Sequence, residues 1–141
     1  VTVRELRAAW DAAVDERIGR QLIDLGYSRS GRSWVRRTEA RGRVGEIGFE
    51  RTCLKLGLRI KCYSSVWIQH VRQDGFGKAI GTLAGECPLW CQVVHQSDEI
   101  PAALIDAERH IFELALPEVE QLLESGRSDH PGVRISILDE L

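Results

Sequence analysis

The chain has 141 residues, 43% apolar and 28% charged, with a formal net charge of −2. Those values lie near globular averages, which excludes extensive disorder, and the length suits one domain with its own core. No apolar run approaches the roughly 18–20 residues of a spanning helix, and four cysteines are too few for a disulfide scaffold.

Charge is unevenly spread. Residues 1–50 carry ten Lys/Arg against eight Asp/Glu, whereas residues 101–141 carry three against nine. The opening Val1–Trp10 lacks the basic-then-apolar layout of a secretory leader, so the expected compartment is the cytoplasm, with reduced thiols and no membrane partner.

Val3, Leu6, Trp10, Val14, Ile18, Leu22 and Leu25 recur at spacings of three and four, one face of an amphipathic helix about six turns long. Thr2 is its expected N-cap and Gly26 its left-handed end. Gly19 is a weak point in its interior. A loop over Ser28–Ser33 leads to a short strand, Trp34–Thr38, and Glu39–Arg43 connects it to the next as a hairpin.

From Val44 to Gln69 the chain alternates. Ile47 and Phe49 interleave with Glu46, Gly48 and Glu50; Leu56, Leu58, Ile60 and Cys62 interleave with Gly57, Arg59, Lys61 and Tyr63. Period two predicts strands with one buried and one wet face. The apolar parity switches around Cys53–Lys55, which a turn there reconciles by folding both sets onto one face. Asp74-Gly75-Phe76-Gly77 reads as a turn. Ala79–Val94 divides into a strand around Ile80–Leu83 and another over Trp90–Val94, with Gly81, Gly85 and Pro88 making the connection irregular. Ser97 and Asp98 precede a second helical face, Ile100, Leu104, Ala107, Ile111 and Leu114. Leu116-Pro117 should stop or kink it, with Pro117 opening a shorter helix that ends before Gly126. Val133, Ile135 and Ile137 then alternate as a late strand or a peripheral arm over residues 128–141. The predicted fold is a single α+β domain spanning 1–141: a long N-terminal helix, an antiparallel β-meander of four to five strands, and C-terminal helices packed with the first on one sheet face.

Leu25-Gly26-Tyr27, then Gly31 and Ser33-Trp34-Val35-Arg36, resembles the opening of the DUF4304 family, small bacterial domains of unknown function. The resemblance extends from about Val3 to Leu123, and Trp90 followed by a helix ending near Leu116-Pro117 is similar to the family's later half. It implies a long first helix, a β-meander and a helical C-terminal part. The family carries no assigned active site, so no residue role transfers.

Three groups of residues carry candidate chemistry. Arg29, Arg32, Arg36, Arg37, Arg41 and Arg43 surround Trp34 with one acid, Glu39, among them. Such a hairpin can present an Arg and Trp contact surface to a protein partner, or clamp phosphates with an indole for base stacking. Equally, its arginines can pair with the acidic C-terminal helices of the same chain. The second group is Cys87-x3-Cys91-x3-His95, with Cys53 and Cys62 on the central hairpin, which would supply a zinc site although the usual two-residue finger spacing is absent. Buried cysteine behaves as a small hydrophobe, and Cys62 continues an apolar alternation. The third is a thiolate and base, Cys91 with His95 or Cys62 with His70, for which no orienting carboxylate is evident. Asp11, Asp15 and Glu16, like Glu113, Glu118 and Glu120, read as solvated helix faces.

The leading expectation is a non-enzymatic protein-binding module, with Arg29–Arg43 and an exposed Trp34 as contact surface and no cofactor. Small α+β domains of this size often serve as inhibitors or immunity proteins. A nucleic-acid binder using the same arginines, and a zinc- or thiol-dependent protein centred on Cys87, Cys91 and His95, are the competing classes.

Overall fold

The computed structural model describes residues 1–38, 42–73 and 79–135, with the backbone alone for 69–73, 79–84 and 134–135. Helix α1 is three consecutive pieces: Val3–Val14, a π-helical turn Asp15–Gly19, and Arg20–Asp24. The spacing of Leu6, Trp10, Val14, Ile18 and Leu22 puts them on one stripe, and all five are buried. Thr2 caps the helix, its hydroxyl accepting the Glu5 N–H at 3.1 Å. Past the far end Gly26 takes a φ of 95°, the left-handed conformation that lets the chain reverse. Gly19 has a packing reason to be glycine: a Cβ built there would lie 2.9 Å from Cζ2 of Trp34.

The strands are β1 Ser28–Ser30, β2 Ser33–Thr38, β3 Arg43–Cys53, β4 Leu58–Gln73, β5 Ala79–Glu86, β6 Trp90–Val94 and β7 Arg134–Ile135. All neighbours are antiparallel, in the order β1-β2-β3-β4-β5-β7. The five longer strands, β2 to β6, make up the expected sheet, with β1 and β7 as short additions. The irregular stretch resolves into a shared edge: β4 pairs β6 along Leu58–Cys62 and β5 from Ser65 onward.

The parity switch in the sequence is the β3–β4 turn, closed by Leu54 N–H donating to the Gly57 carbonyl at 2.8 Å. Phe49 lies opposite Cys62 and Arg51 opposite Ile60. Ile47, Phe49, Leu58, Ile60 and Cys62 thus share one face, all buried. Leu56, assigned to that apolar set from the alternation, instead projects from the turn at 78% exposure.

Helix α2 follows a 3-10 turn, Ser97–Glu99, and comprises Ile100–His110, a π-helical turn Ile111–Ala115, and Leu116–Ser125. Pro117 was expected to stop or kink it. The pieces run on without an intervening loop: Pro117 opens the last piece, in its first turn and directly after the π-helical turn, where a missing N–H is tolerated. Both helices cover the same side of the sheet. Trp10 meets Phe49 edge-on at 5.5 Å and stacks on Trp90 at 6.3 Å, while Gly45 of β3 lies against Val119 and Leu123 of α2. The core is the layer between sheet and helices. Between the helices, Arg17 Nε donates to Glu108 at 2.6 Å and Gln21 Nε2 to the same carboxylate at 3.1 Å.

His110 is half-buried on α2 against the Pro88 carbonyl. Burial depresses its pKa below the ordinary 6.5, and the backbone hydrogen bond opposes this only in part. A histidine depressed in the folded state is neutral there while the unfolded chain takes up a proton, so stability is lost as pH falls below about 6.5. Urea midpoints should therefore drop between pH 7.5 and 5.5, and the drop should shrink in His110→Gln. An identical drop in both proteins would assign it to other groups.

Candidate functional site

The side of the sheet facing the helices carries Trp34, Arg36, Gly45, Ile47 and Arg51. Trp34 had been expected on the surface; it is 1% exposed, wedged against Gly19 of α1. Strand alternation explains the correction, because Trp34 lies opposite Ile47 and must share its buried face.

The arginines around it largely tie the sheet to the helices. Arg29 Nη1 lies 3.2 Å from Asp15, and Arg32 Nη2 lies 3.0 Å from the same carboxylate. Arg51 Nε pairs with Asp11 at 2.8 Å. Asp11 and Asp15, four residues apart on α1, thus hold three arginines of β1–β3 rather than a solvated face. Arg36 pairs with Glu120 of α2, which also accepts the Tyr27 hydroxyl at 2.7 Å. Burial, and next that carboxylate, push the Tyr27 pKa well above its ordinary value. Arg43, 8% exposed, donates to the Leu123 carbonyl at 3.0 Å. Pairing with the acidic C-terminal helix therefore accounts for Arg36, while the N-terminal helix accounts for Arg29 and Arg32. Arg37 is exposed, on the opposite side of β2. Arg41 lies outside the described residues, as do Glu39 and the Asp74–Gly77 turn.

The five metal-ligand candidates do not converge on one point, although the Cys62 and Cys87 thiols are near enough to interact electrostatically. Cys62 and Cys87 are buried, and burial pushes both thiols up, away from the thiolate that zinc or nucleophilic chemistry needs. Cys53, at the end of β3, and Cys91, on β6, are exposed. In a strand a spacing of four spans about 13 Å, and β6 ends at Val94, so His95 lies just beyond the strand that carries Cys91. The His95 ring lies 3.1 Å from the Leu56 carbonyl instead. No three His, Cys, Asp or Glu side chains converge on a metal position among the described residues, and the side chain of His70 is not among them.

Among the described residues no helix lies on the other side of the sheet. Its residues follow from register: Glu46 lies opposite Ser65, which lies opposite Glu86; Gly48 lies opposite Tyr63, and Glu50 opposite Lys61. Together with Trp67 and Leu89 they line a groove of about 350 Å³. Tyr63 is laid across Gly48, where a Cβ would come within 2.6 Å of its hydroxyl. That hydroxyl reaches Glu46 Oε1 at 3.4 Å, and burial raises its pKa. A register shift in the β4–β5 ladder falls between Val66 and Trp67, a bulge of the kind that re-aims side chains beside sites. Trp67 is 37% and Leu89 57% exposed.

None of these groove residues was singled out from the sequence as a site. The available signal was the wet parity itself, since Tyr63 and Trp67 occupy positions that alternation assigns to solvent. An aromatic residue there needs a reason.

Comparison with protein-family models, curated proteins and solved structures finds no match. Among the described residues no helix is long and apolar enough to cross a membrane.

Proposed function

We propose that the chain is a non-enzymatic protein-binding module, of inhibitor or immunity type, whose contact surface is the sheet face opposite the two helices rather than the Arg29–Arg43 hairpin. The observation that carries this is the grouping of Trp67 and Leu89, both exposed, around a groove on the side of the sheet away from both helices. Aromatic anchors in a concave surface are the residues on which protein interfaces concentrate binding energy. The groove also holds Tyr63 in a fixed position over Gly48, so little side-chain freedom is lost on contact. The nucleic-acid reading loses support because Arg29, Arg32, Arg36 and Arg43 already have partners in the fold. A resemblance to DUF4304 domains is compatible with a binding role and does not specify one.

The test is affinity capture with three baits: the wild-type protein, Trp67→Asp with Leu89→Asp, and Arg29→Glu with Arg37→Glu, each with and without nuclease. A stoichiometric protein retained by the first and third baits and lost by the second, whether or not nuclease is added, is the expected result. Material lost on nuclease treatment, or lost only by the arginine variant, would return the function to the basic hairpin.

A further inference from the structure

The groove has a more specific form than an exposed patch. Ser65, 7% exposed, is its floor. Glu46 and Glu86 stand at the directly opposed positions on the two neighbouring strands, so their backbones are about 10 Å apart, two strand spacings. Tyr63 and Trp67 stand two residues to either side of Ser65 along β4, about 13 Å apart. The result is a box lined by carboxylates from both neighbouring strands, by the aromatic residues Tyr63, whose ring lies across Gly48, and Trp67, with a small hydroxyl residue at the bottom. Leu89 adds an apolar flank.

We infer that this box receives one lysine or arginine side chain from a basic segment of a partner protein. The inference rests on the binding-module reading and specifies its chemistry. An ammonium or guanidinium group is attracted by the faces of aromatic rings and by carboxylates together, and its aliphatic stem needs apolar surface on the way in. The box supplies all three. Three carboxylates, Glu46, Glu50 and Glu86, and one ammonium, Lys61, line the groove, so its lining is net acidic; in register Lys61 lies opposite Glu50 and Arg134 opposite Glu86. A divalent metal ion fits less well. It requires several oxygens within about 2.5 Å of one point, and carboxylates from strands two spacings apart, separated by Ser65, are set to face an organic cation between them. An anionic partner is disfavoured outright by the two carboxylates.

The test titrates the isotope-labelled full-length protein with three peptides, Ser-Gly-Lys-Gly-Ser, Ser-Gly-Arg-Gly-Ser and Ser-Gly-Glu-Gly-Ser, and with tetramethylammonium, by NMR. The reporters are the Trp67 indole N–H, assigned through Trp67→Phe, and the Ser65 amide. The lysine or arginine peptide should shift both saturably, and the glutamate peptide neither. Glu46→Gln with Glu86→Gln, its fold checked by an otherwise unchanged spectrum, should weaken binding about tenfold or more, whereas Arg134→Ala should not weaken it. The inference is overturned by binding that ignores the two carboxylates, by shifts confined to the Arg29–Arg43 hairpin, by tighter binding of free tetramethylammonium than of either cationic peptide, or by no binding at all. If no peptide binds while capture still depends on Trp67 and Leu89, the cation inference falls and the module reading stands. If capture ignores those two residues, it is the module reading that falls.

Discussion

Trp10→Ala should destabilise the protein by about 3–5 kcal/mol, the upper range for emptying a core site. Trp10 is wholly buried and is the point at which α1 meets two separate strands. Its ring stands edge-on to Phe49 of β3 at an interplanar angle of 78° and lies parallel to Trp90 of β6 at 9°. Truncation removes both aromatic contacts, each worth about 0.5–1.5 kcal/mol beyond area burial, and leaves a cavity. Neither β3 nor β6 can collapse into it, because both are fixed by their ladders to β4. Domains of this size have about 5–15 kcal/mol in total, so the loss is a large share of the whole. Equilibrium urea unfolding followed by circular dichroism measures it. A loss under about 1.5 kcal/mol would mean that the helix is not seated on the sheet through this residue.

Gly45→Val is expected to cost about 3 kcal/mol or more, the severe end of overpacking. Gly45 lies in β3 directly under α2. A Cβ built there would be 2.8 Å from Val119 Cγ1 and 2.9 Å from Leu123 Cδ1. Both of those side chains are buried, so neither has room to retreat. The added atoms must therefore lift α2 from the sheet, which also strains the Arg43 bond to the Leu123 carbonyl and the Arg36 pair with Glu120. Gly45→Ala should fall between the wild type and Gly45→Val. Guanidinium unfolding of the three proteins gives the order, and an unchanged midpoint for Gly45→Val would show that α2 does not pack at this strand.

Local periodicity made the helices and the central hairpin readable. The three- and four-residue spacing from Val3 to Leu22 survives an interruption at Gly19, because the π turn keeps Ile18 and Leu22 buried. The reversed parity of Ile47 and Phe49 against Leu58 and Ile60 required a turn, and the turn is there. What stayed hidden depends on partners far along the chain. Trp34 looked like an exposed anchor because arginines surround it in sequence, but Arg32 and Arg36, two residues to either side, are tied to Asp15 and Glu120 of the helices, and Trp34 lies beneath the helices against Gly19. Asp11 and Asp15 looked solvated because nothing on their own helix reveals that Arg29, Arg32 and Arg51 lie across from them. The groove is the extreme case. Glu46, Ser65 and Glu86 are 19 and 21 residues apart in the chain and become neighbours only through the register of three strands.

The pairing of β4 with two strands end to end along one edge has a mechanical consequence. At 16 residues β4 is about 50 Å long, and its two half-length partners leave a seam between them. Across that seam the Cys87 N–H donates to the Ser64 carbonyl at 3.0 Å, and the next residue, Pro88, has no N–H to add. Elastic compliance in a sheet concentrates where the ladder is thinnest. Glu86 lies on one lip of the seam and Leu89 on the other, so one wall of the groove is hung across a break in the ladder. Its width can respond to load without any bend in β4.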